Sequence, residues 1–421
     1  MVIKEKALLV GVNINNDYNF NESMDELSNL AIACNFEVVE RIGQNLTAFN
    51  KVFCIGSGKV KEIKFLIDDL KPDVVIFNNE LSPSQLRNLA KALESRIMDR
   101  TSLILEIFAR RAKTREAKLQ VELAHLQYML PRLIGLKVSL SQQGGGVGTT
   151  NRGPGEKALE LDRRKIEKKI SDLNKDLELI GKERQTQRKK RTESELPTVA
   201  LVGYTNAGKS TLMNAMVEVS RKSENKKVLE KDVLFATLDT SVRNITLPDN
   251  GAFLLLDTVG FISKLPHNLI KAFRSTLEEV YSADLLLHVI DMSSPAYEQQ
   301  IEVTQKTLQE IGAEGIPTIY VYNKTDLSSM RFPVTGNDKV FISALKRTGL
   351  DELIELIRQK VFSEYIKCRM FIPYDKGSLI SYLNDNAHIK SAKHQSKGTL
   401  LTLECRQSDY SRYKEFTYID R

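Results

Sequence analysis

The densest chemistry in the sequence lies at Gly203-Tyr204-Thr205-Asn206-Ala207-Gly208-Lys209-Ser210, which fits the spacing G-x-x-x-x-G-K-[ST]. In a loop of that spacing the glycines let the chain fold back, so that successive backbone N–H groups and the start of the next helix point at one phosphate. Lys209 can then reach the β- and γ-phosphates of a nucleotide, and the Ser210 hydroxyl can ligate Mg²⁺. The flanks suit such a loop. Thr198–Val202 is β-branched and apolar and reads as a buried strand, and Ser210–Met216 reads as the start of a helix.

Four partner stretches follow in order. Asp257-Thr258-Val259-Gly260 ends the apolar run Ala252–Leu256; a carboxylate there can hold Mg²⁺ through water, and the Gly260 N–H can meet a γ-phosphate. Between it and the phosphate loop lies Leu234-Phe235-Ala236-Thr237-Leu238-Asp239. Thr237 sits where a GTPase places the threonine whose hydroxyl completes the Mg²⁺ shell, so Ser210 and Thr237 are the expected metal ligands. Asn323-Lys324-Thr325-Asp326 ends the apolar strand Thr318–Tyr322 and fits N-K-x-D. The Asp326 carboxylate can accept from guanine N1–H and its exocyclic amine, which adenine does not offer in that arrangement. Ser343-Ala344-Leu345, after Val340–Ile342, can close the base pocket with backbone N–H groups aimed at the guanine oxygen. All these stretches form the expected GTP/GDP contacts, with Lys209, Thr237 and Gly260 acting on the reacting phosphate. Ligand binding at the carboxyl ends of parallel strands has this pattern.

Two residues bear on how hydrolysis would run. Many GTPases carry a glutamine after the third motif to orient the attacking water; here the residue is Phe261, which cannot do so by hydrogen bonding. Slow intrinsic turnover, stimulated by a macromolecular partner, is expected. The Asn206 carboxamide in the phosphate loop could ligate K⁺ beside the phosphates, in place of an arginine finger.

The elements that must position these residues read as α/β. A length of 421 residues is too great for one compact core and calls for about three domains. Residues 1–108 alternate strands (Ala7–Val12, Phe36–Arg41, Val52–Ile55, Val74–Phe77) with helices, one opened by a Ser23-x-x-Glu26 capping box with Met24, Leu27, Leu30 and Ala31 inward, another opened at Ser82-Pro83. Gly56-Ser57-Gly58-Lys59 lacks full phosphate-loop spacing and reads as a tight turn. Residues 109–196 read as a helical hairpin. Leu119, Leu123, Leu126 and Leu130 share one face of a first helix that Pro131 limits; Leu159, Ile166, Ile170, Leu173, Leu177 and Ile180 line a second. The tip, Ser141–Gly155, has six glycines and one basic side chain, Arg152. It can bury almost nothing, and reads either as a disordered linker or as a probe that orders against a partner. The nucleotide domain spans 197–362, and 363–421 reads as a small α+β domain with strands at Leu400–Leu403 and Phe416–Ile419 around a helix near Leu379–Asn384.

At 42% hydrophobic and 27% charged residues, with no long apolar run, a membrane span is not expected. Four scattered cysteines without a Cys-x-x-Cys pair argue against a zinc site or disulfide framework and suit a reducing cytoplasm. From Ile107 to Pro197 the chain holds 21 Lys and Arg against 12 Asp and Glu, more net positive charge than the whole chain's +7. Concentrated basic charge, ending in Arg188-Lys189-Lys190-Arg191, fits either a polyanion such as RNA as partner or a solvated helical surface.

Over nearly its full length the chain resembles the HflX-type ribosome-associated GTPases. The resemblance rests on Asp99-Arg100-Thr101-x-x-Ile104-Leu105-x-Ile107-Phe108-Ala109-x-Arg111-Ala112, Leu119–Ala124, Gly144–Gly148, Arg152–Glu156, Leu161–Arg164 and Leu234–Asp239. It implies a monomer of four parts: an α/β N-terminal domain, a helical hairpin, a GTPase domain with a mostly parallel sheet, and a small C-terminal domain. It further implies binding to the large ribosomal subunit (rRNA), with the hairpin tip reaching toward the peptidyl-transferase region, and GTP-dependent separation of stalled or stressed 70S ribosomes. The alternatives are a switch for ribosome assembly or dormancy without splitting, and an RNA-remodelling factor using ATP at the N-terminal domain. Gly56–Lys59 is too generic to carry ATP binding over from the family. One departure is Asp239-Thr240-Ser241, where the family usually has Asp-Pro-Thr.

Overall fold

The computed structural model describes residues 4–15, 19–143, 154–193, 196–220, 241–247, 251–258, 260–263, 280–328, 335–362, 366–405 and 407–418. Two compact units divide it, one mainly before Arg188 and one mainly after.

The first unit is built on four strands in the order β2-β1-β3-β4, all parallel: β1 (Glu5–Ile14), β2 (Phe36–Leu46), β3 (Val74–Phe77) and β4 (Arg96–Asp99). Parallel neighbours need crossovers, which α1 (Phe20–Ala33), α2 (Ser57–Leu70) and α3 (Pro83–Leu93) supply. Because helices cover both faces, β1 and β3 are apolar along both pleats rather than alternating. Leu8, Val10, Val75 and Phe77 meet Val60, Ile63, Leu89 and Leu93 of α2 and α3 in one core. On α1 the buried face is Met24, Leu27, Leu30 and Ala31, as the spacing predicts.

Three details differ from expectation. The helix α1 begins at Phe20, with Ser23 inside it. Instead of capping, Ser23 Oγ accepts from Asn78 Nδ2, and Glu26 pairs with Arg100. Val52–Ile55 is a turn: Asn50 and Cys54 exchange backbone hydrogen bonds, and Asn50 Oδ1 accepts from the N–H groups of Val52 (2.8 Å) and Phe53 (3.0 Å). An Asn side chain that satisfies the backbone locally competes with strand pairing. Arg96–Asp99 takes the fourth strand position instead. Gly56–Lys59, expected as a tight turn, is instead the start of α2, with Gly56 as its N-cap and Lys59 in its first turn pairing with Glu62.

Helix α4 (Arg100–Arg111) follows β4, and α5 (Arg115–Gln143) and α6 (Pro154–Glu193) are the long helices of the hairpin segment. Pro131 does not end α5, which continues to Gln143. A proline costs the helix a hydrogen bond and a clash, but here the flanking side chains are tied down. The fully buried Asp99 carboxylate accepts from Tyr128 Oη and Arg132 Nη2 (3.2 Å) of α5, from the Leu81 N–H (3.1 Å), and from the Ser102 N–H and hydroxyl (2.9 and 2.7 Å). Burial and the Asp99 charge both push the Tyr128 phenol up, so it stays a donor. Leu123 and Leu173 are buried on α5 and α6, Ile166, Ile170 and Leu177 are half-buried, and Lys169 of α6 pairs with Glu122 of α5. The glycine-rich stretch 144–153 lies outside the described residues, as do the side chains of 133–143, 154–159 (Leu159 among them) and 184–193.

The second unit holds a six-stranded sheet in the order β10-β9-β8-β5-β7-β6. Its strands are β5 (Thr198–Gly203), β6 (Ser241–Thr246), β7 (Ala252–Asp257), β8 (Leu285–Asp291), β9 (Thr318–Asn323) and β10 (Lys339–Phe341). Only β6 runs antiparallel to its neighbour. Val199, Leu201, Leu255, Leu287 and Val321 pack one face against α7 (Lys209–Val219) and α9 (Leu350–Val361), while α8 (Tyr297–Glu310) lies against β5 and β8. The remaining three strands, β11 (Ile366–Pro373), β12 (His388–Gln395) and β13 (Gly398–Cys405), form an antiparallel sheet β11-β13-β12 under α10 (Gly377–Asn386). The expected strand at Phe416–Ile419 is instead a helical turn at Lys414–Phe416, after which the Tyr418 N–H donates to Arg369 O (2.7 Å); Ile419 lies outside the described residues. Among the described residues no helix is long and apolar enough to cross a membrane.

The Asp99 cluster yields a prediction. In Asp99→Ala the Arg132 guanidinium and Tyr128 hydroxyl lose their buried acceptor, and breaking a buried pair costs about 3–5 kcal/mol. Amide exchange of Ile76 and Met98 in the full chain should show that loss of protection. A change below about 1 kcal/mol would mean that Asp99 does not hold α5 to the sheet.

Candidate nucleotide site

Among the described residues, the sequence-predicted ones converge on one edge of the six-stranded sheet, where β5, β7 and β9 end. The turn out of β5 is possible only because Gly203 has no side chain. Its φ is +142°, and a Cβ there would lie 2.2 Å from Val289 O of β8. At the other end of the loop Gly208 caps α7 with φ +93°, and a Cβ would meet Asn323 Nδ2 at 2.3 Å. Asn206 between them also takes a left-handed conformation (φ +63°) and is exposed, so its carboxamide stands at the loop surface.

Lys209 is buried, and its ammonium folds back over the loop, donating to Gly203 O (3.0 Å) and Tyr204 O (2.7 Å). Burial lowers its pKa to about 8, against the opposing pull of the Asp257 carboxylate. The Ser210 hydroxyl donates to Asp257 Oδ2 (2.7 Å), so the two oxygen donors expected around a hard cation already touch. That pairing fits Mg²⁺, with Ser210 able to ligate directly and Asp257 behind it. Thr258 turns its hydroxyl inward to Leu201 O (2.6 Å). Gly260 lies against the loop, where a Cβ would meet Thr205 and Lys209 Nζ at 2.9–3.0 Å.

Phe261 is held by its backbone. Its N–H donates to Gly203 O (3.1 Å), and its carbonyl accepts from the Thr205 N–H (2.7 Å), while the ring is 3% exposed. The third motif is thereby stitched to the phosphate loop. Phe235, Ala236, Thr237, Leu238, Asp239 and Val259 lie outside the described residues.

The other half of the site is organised by Asn323, which is 2% exposed. Its Nδ2 donates to Ala207 O (2.9 Å) and its Oδ1 accepts from the Ala344 N–H (2.9 Å). One carboxamide therefore ties the phosphate loop to the Ser343–Leu345 loop. Asp326 is oriented by Ser343, whose hydroxyl donates to Oδ1 (2.7 Å), and Lys346 Nζ lies 3.9 Å from Oδ2. Thr325 is buried, its N–H donating to Ile342 O (3.2 Å). The Ala344 N–H is used by Asn323 and that of Ser343 by Thr348 O. Leu345 itself is 72% exposed.

Sequence reading missed Asp291. It ends β8 and pairs with Lys324 Nζ at 2.7 Å, fixing a residue whose φ is +62°. The signal was the one that marked Asp257, a carboxylate closing an apolar strand.

Comparison with known proteins agrees with this geometry. Three family models match in succession: GTP-binding GTPase N-terminal over residues 21–109, GTP-binding GTPase Middle Region over 111–191, and 50S ribosome-binding GTPase over 198–324. A GTPase HflX of Caldanaerobacter subterraneus subsp. tengcongensis is 45% identical over 401 residues, covering 95% of this chain and 91% of its own length. The GTPase HflX of Alkalihalophilus pseudofirmus is 42% identical over 98% and 96% of the two chains, and that of Escherichia coli 39% identical over 90% and 88%. On this identity over nearly the whole length, the chain belongs to the HflX family of GTPases.

Proposed function

We propose that this chain is a GTP hydrolase that binds the large ribosomal subunit in its GTP state, dissociates stalled or stressed 70S ribosomes, and is released after hydrolysis. The observation that carries the reading is Asn323, because a single buried side chain locks phosphate-binding and base-binding loops into one edge that can grip both ends of a nucleotide. Guanine is favoured because Asp326, aimed by Ser343, would accept from N1–H and the exocyclic amine; adenine would leave that carboxylate unpaired. The match to a 50S ribosome-binding GTPase model supports the ribosomal partner.

In the reaction Lys209 would leave the Gly203 and Tyr204 carbonyls and turn to the phosphates, while Ser210 and Thr237 hold Mg²⁺ and the Gly260 N–H meets the γ-phosphate. Bound Mg²⁺ would draw negative charge from the phosphate oxygens as the terminal bond breaks. Phe261 offers no hydrogen bond to water, so orientation of the nucleophile must come from elsewhere, through ordering of the switch segments on the ribosome. The basic hairpin is the arm suited to rRNA. On α6, Arg164, Lys165, Lys175 and Lys182 are exposed and pair with carboxylates three or four residues away on the same helix. Exposed pairs of this kind are worth little and exchange readily for phosphates. Work on ribosomes implies a cytoplasmic site of action, with the chain acting as a monomer.

Three outcomes are expected. Because the free Lys209 titrates near pH 8 and phosphates would hold it charged, nucleotide binding at pH 8 should take up about half a proton. Affinity should fall as pH rises above that value. Calorimetry in buffers of different ionisation enthalpy measures the uptake, and Lys209→Ala should abolish it; release or no change would overturn the assignment.

Turnover should be low alone, rise well beyond about threefold with large subunits, and be faster in K⁺ than in Na⁺ through Asn206. Equal rates in the two salts would remove K⁺ from the mechanism.

Sedimentation of 70S ribosomes should show conversion to subunits with a non-hydrolysable GTP analogue but not with GDP. Co-migration with large subunits while 70S particles persist would instead identify an assembly or dormancy switch.

A further inference from the structure

The four cysteines fall into two chemical kinds. Cys34 and Cys54 are each 1% exposed, and burial pushes their thiols up to about 12 and about 11. Neither carries appreciable thiolate at neutral pH, and such cysteines are inert. Cys368 and Cys405 instead lie side by side in the C-terminal sheet, with their sulfurs 3.7 Å apart.

The strand register creates that contact. In the antiparallel β11–β13 ladder Ile366 opposes Cys405 and Cys368 opposes Leu403. The two cysteines therefore occupy diagonal positions on one face, together with Met370, Ile372, Leu401 and Leu403 of the small core. Their environments differ. Cys368 is partly exposed, whereas Cys405 is fully buried. The S–H···S contact between them, in which either sulfur can donate, lowers the pKa of Cys368 in spite of partial burial, and with burial raises that of Cys405. One thiol is thus reachable and poised as a nucleophile; the other is shielded and held against it.

We propose that Cys368 and Cys405 form a peroxide-responsive modification site that closes to a reversible intramolecular disulfide. The Cys368 thiolate attacks one oxygen of hydrogen peroxide; an S–O bond forms, the O–O bond breaks, and the departing hydroxide takes up the thiol's proton as water. Sulfur is oxidised by two electrons and the peroxide reduced, leaving a sulfenic acid on Cys368. Oxidation of Cys368 removes the thiol contact that most raises Cys405 and puts an electrophilic sulfur against it, which Cys34 and Cys54 never meet. Cys405 Sγ then attacks that sulfur, the S–O bond breaks, and the Cys405 proton leaves with the hydroxyl as a second water. Two thiols and one peroxide give one disulfide and two waters. The sulfurs must close from 3.7 Å to the bonding distance of about 2 Å. Ile366 starts β11 and Cys405 ends β13, so the required shift falls at the open end of the ladder, where the backbone opens at least cost. The bond would pin the start of β11, where the chain enters this sheet, to the end of its central strand.

The test treats the full-length protein with hydrogen peroxide, alkylates remaining thiols under denaturing conditions, and maps the peptides by mass spectrometry. Free thiols should fall from four to two per chain, with the Cys368 and Cys405 peptides linked and lighter by two hydrogens. Cys34 and Cys54 should remain alkylated, and dithiothreitol should restore all four thiols. In Cys405→Ser, dimedone should trap a sulfenic acid on Cys368; in Cys368→Ser, Cys405 should stay reduced. Retention of four thiols after peroxide overturns the proposal. So does irreversible over-oxidation of Cys368 with Cys405 still a thiol, or linkage between separate chains. The wild-type thiol count decides the matter even if a variant folds poorly.

Discussion

The nucleotide edge depends on one buried carboxamide. Asn323 reaches from the end of β9 across β8 to the carbonyl of Ala207, and with its other atom takes the N–H of Ala344. Both partners belong to loops that have no ladder of their own, and both atoms are buried away from water. Removing either bond would leave a buried backbone group unsatisfied, at about 1–3 kcal/mol each. Gly208 shows the same constraint from the other side. It must be glycine because Asn323 occupies the space a Cβ would need. The spacing of the first motif and the asparagine of the fourth are therefore one steric fact expressed at two places in the chain.

A second polar constraint organises the first unit. Asp99 and Arg100 are adjacent, oppositely charged and buried, yet they do not pair with each other. Asp99 takes Tyr128 and Arg132 of α5, while Arg100 takes Glu26 of α1 and Asn78 at the end of β3. Two neighbouring residues thus fasten helices from different parts of the chain to one strand end. A lone buried charge would cost several kcal/mol, so each must bring its partners with it. The Asp99-Arg100 pair thus acts as a structural joint at the end of β4.

The sequence was most legible where a backbone conformation forces residue identity. The turns at Gly203 and Gly208, the carboxylate ending β7, and the Asn–Asp spacing after β9 are local patterns, and the structure brings them to one edge. It was least legible where a distant partner decides. Ser23 has the spacing of a cap, but Asn78 claims its hydroxyl. Pro131 should end a helix, but Asp99 holds the turns on either side. Val52–Ile55 has strand composition, but Asn50 satisfies its amides first. The Cys368–Cys405 contact could not be read from spacing at all, because it depends on the register of two strands separated by a helix and a third strand.

The backbone of Phe261 sets the last condition on the site. Its two hydrogen bonds to the phosphate loop add the third motif to β5 as a short bridge, with the ring packed below. Gly260, which precedes it, lies against Thr205 and the Lys209 ammonium. Any movement of Gly260 toward a γ-phosphate must therefore either carry the bridge along or break it, and two such bonds are worth about 1–3 kcal/mol together. Lys209 faces the same choice, since its ammonium is held by the Gly203 and Tyr204 carbonyls and must surrender them to reach a phosphate. Charge on the incoming phosphate can meet the cost for Lys209, because an ion pair replaces neutral acceptors. Nothing equivalent is offered to Phe261, whose side chain has no polar atom. The chain thus holds its third motif in a self-satisfied arrangement, stitched to the phosphate loop by the Phe261 backbone and closed over by the Lys209 ammonium.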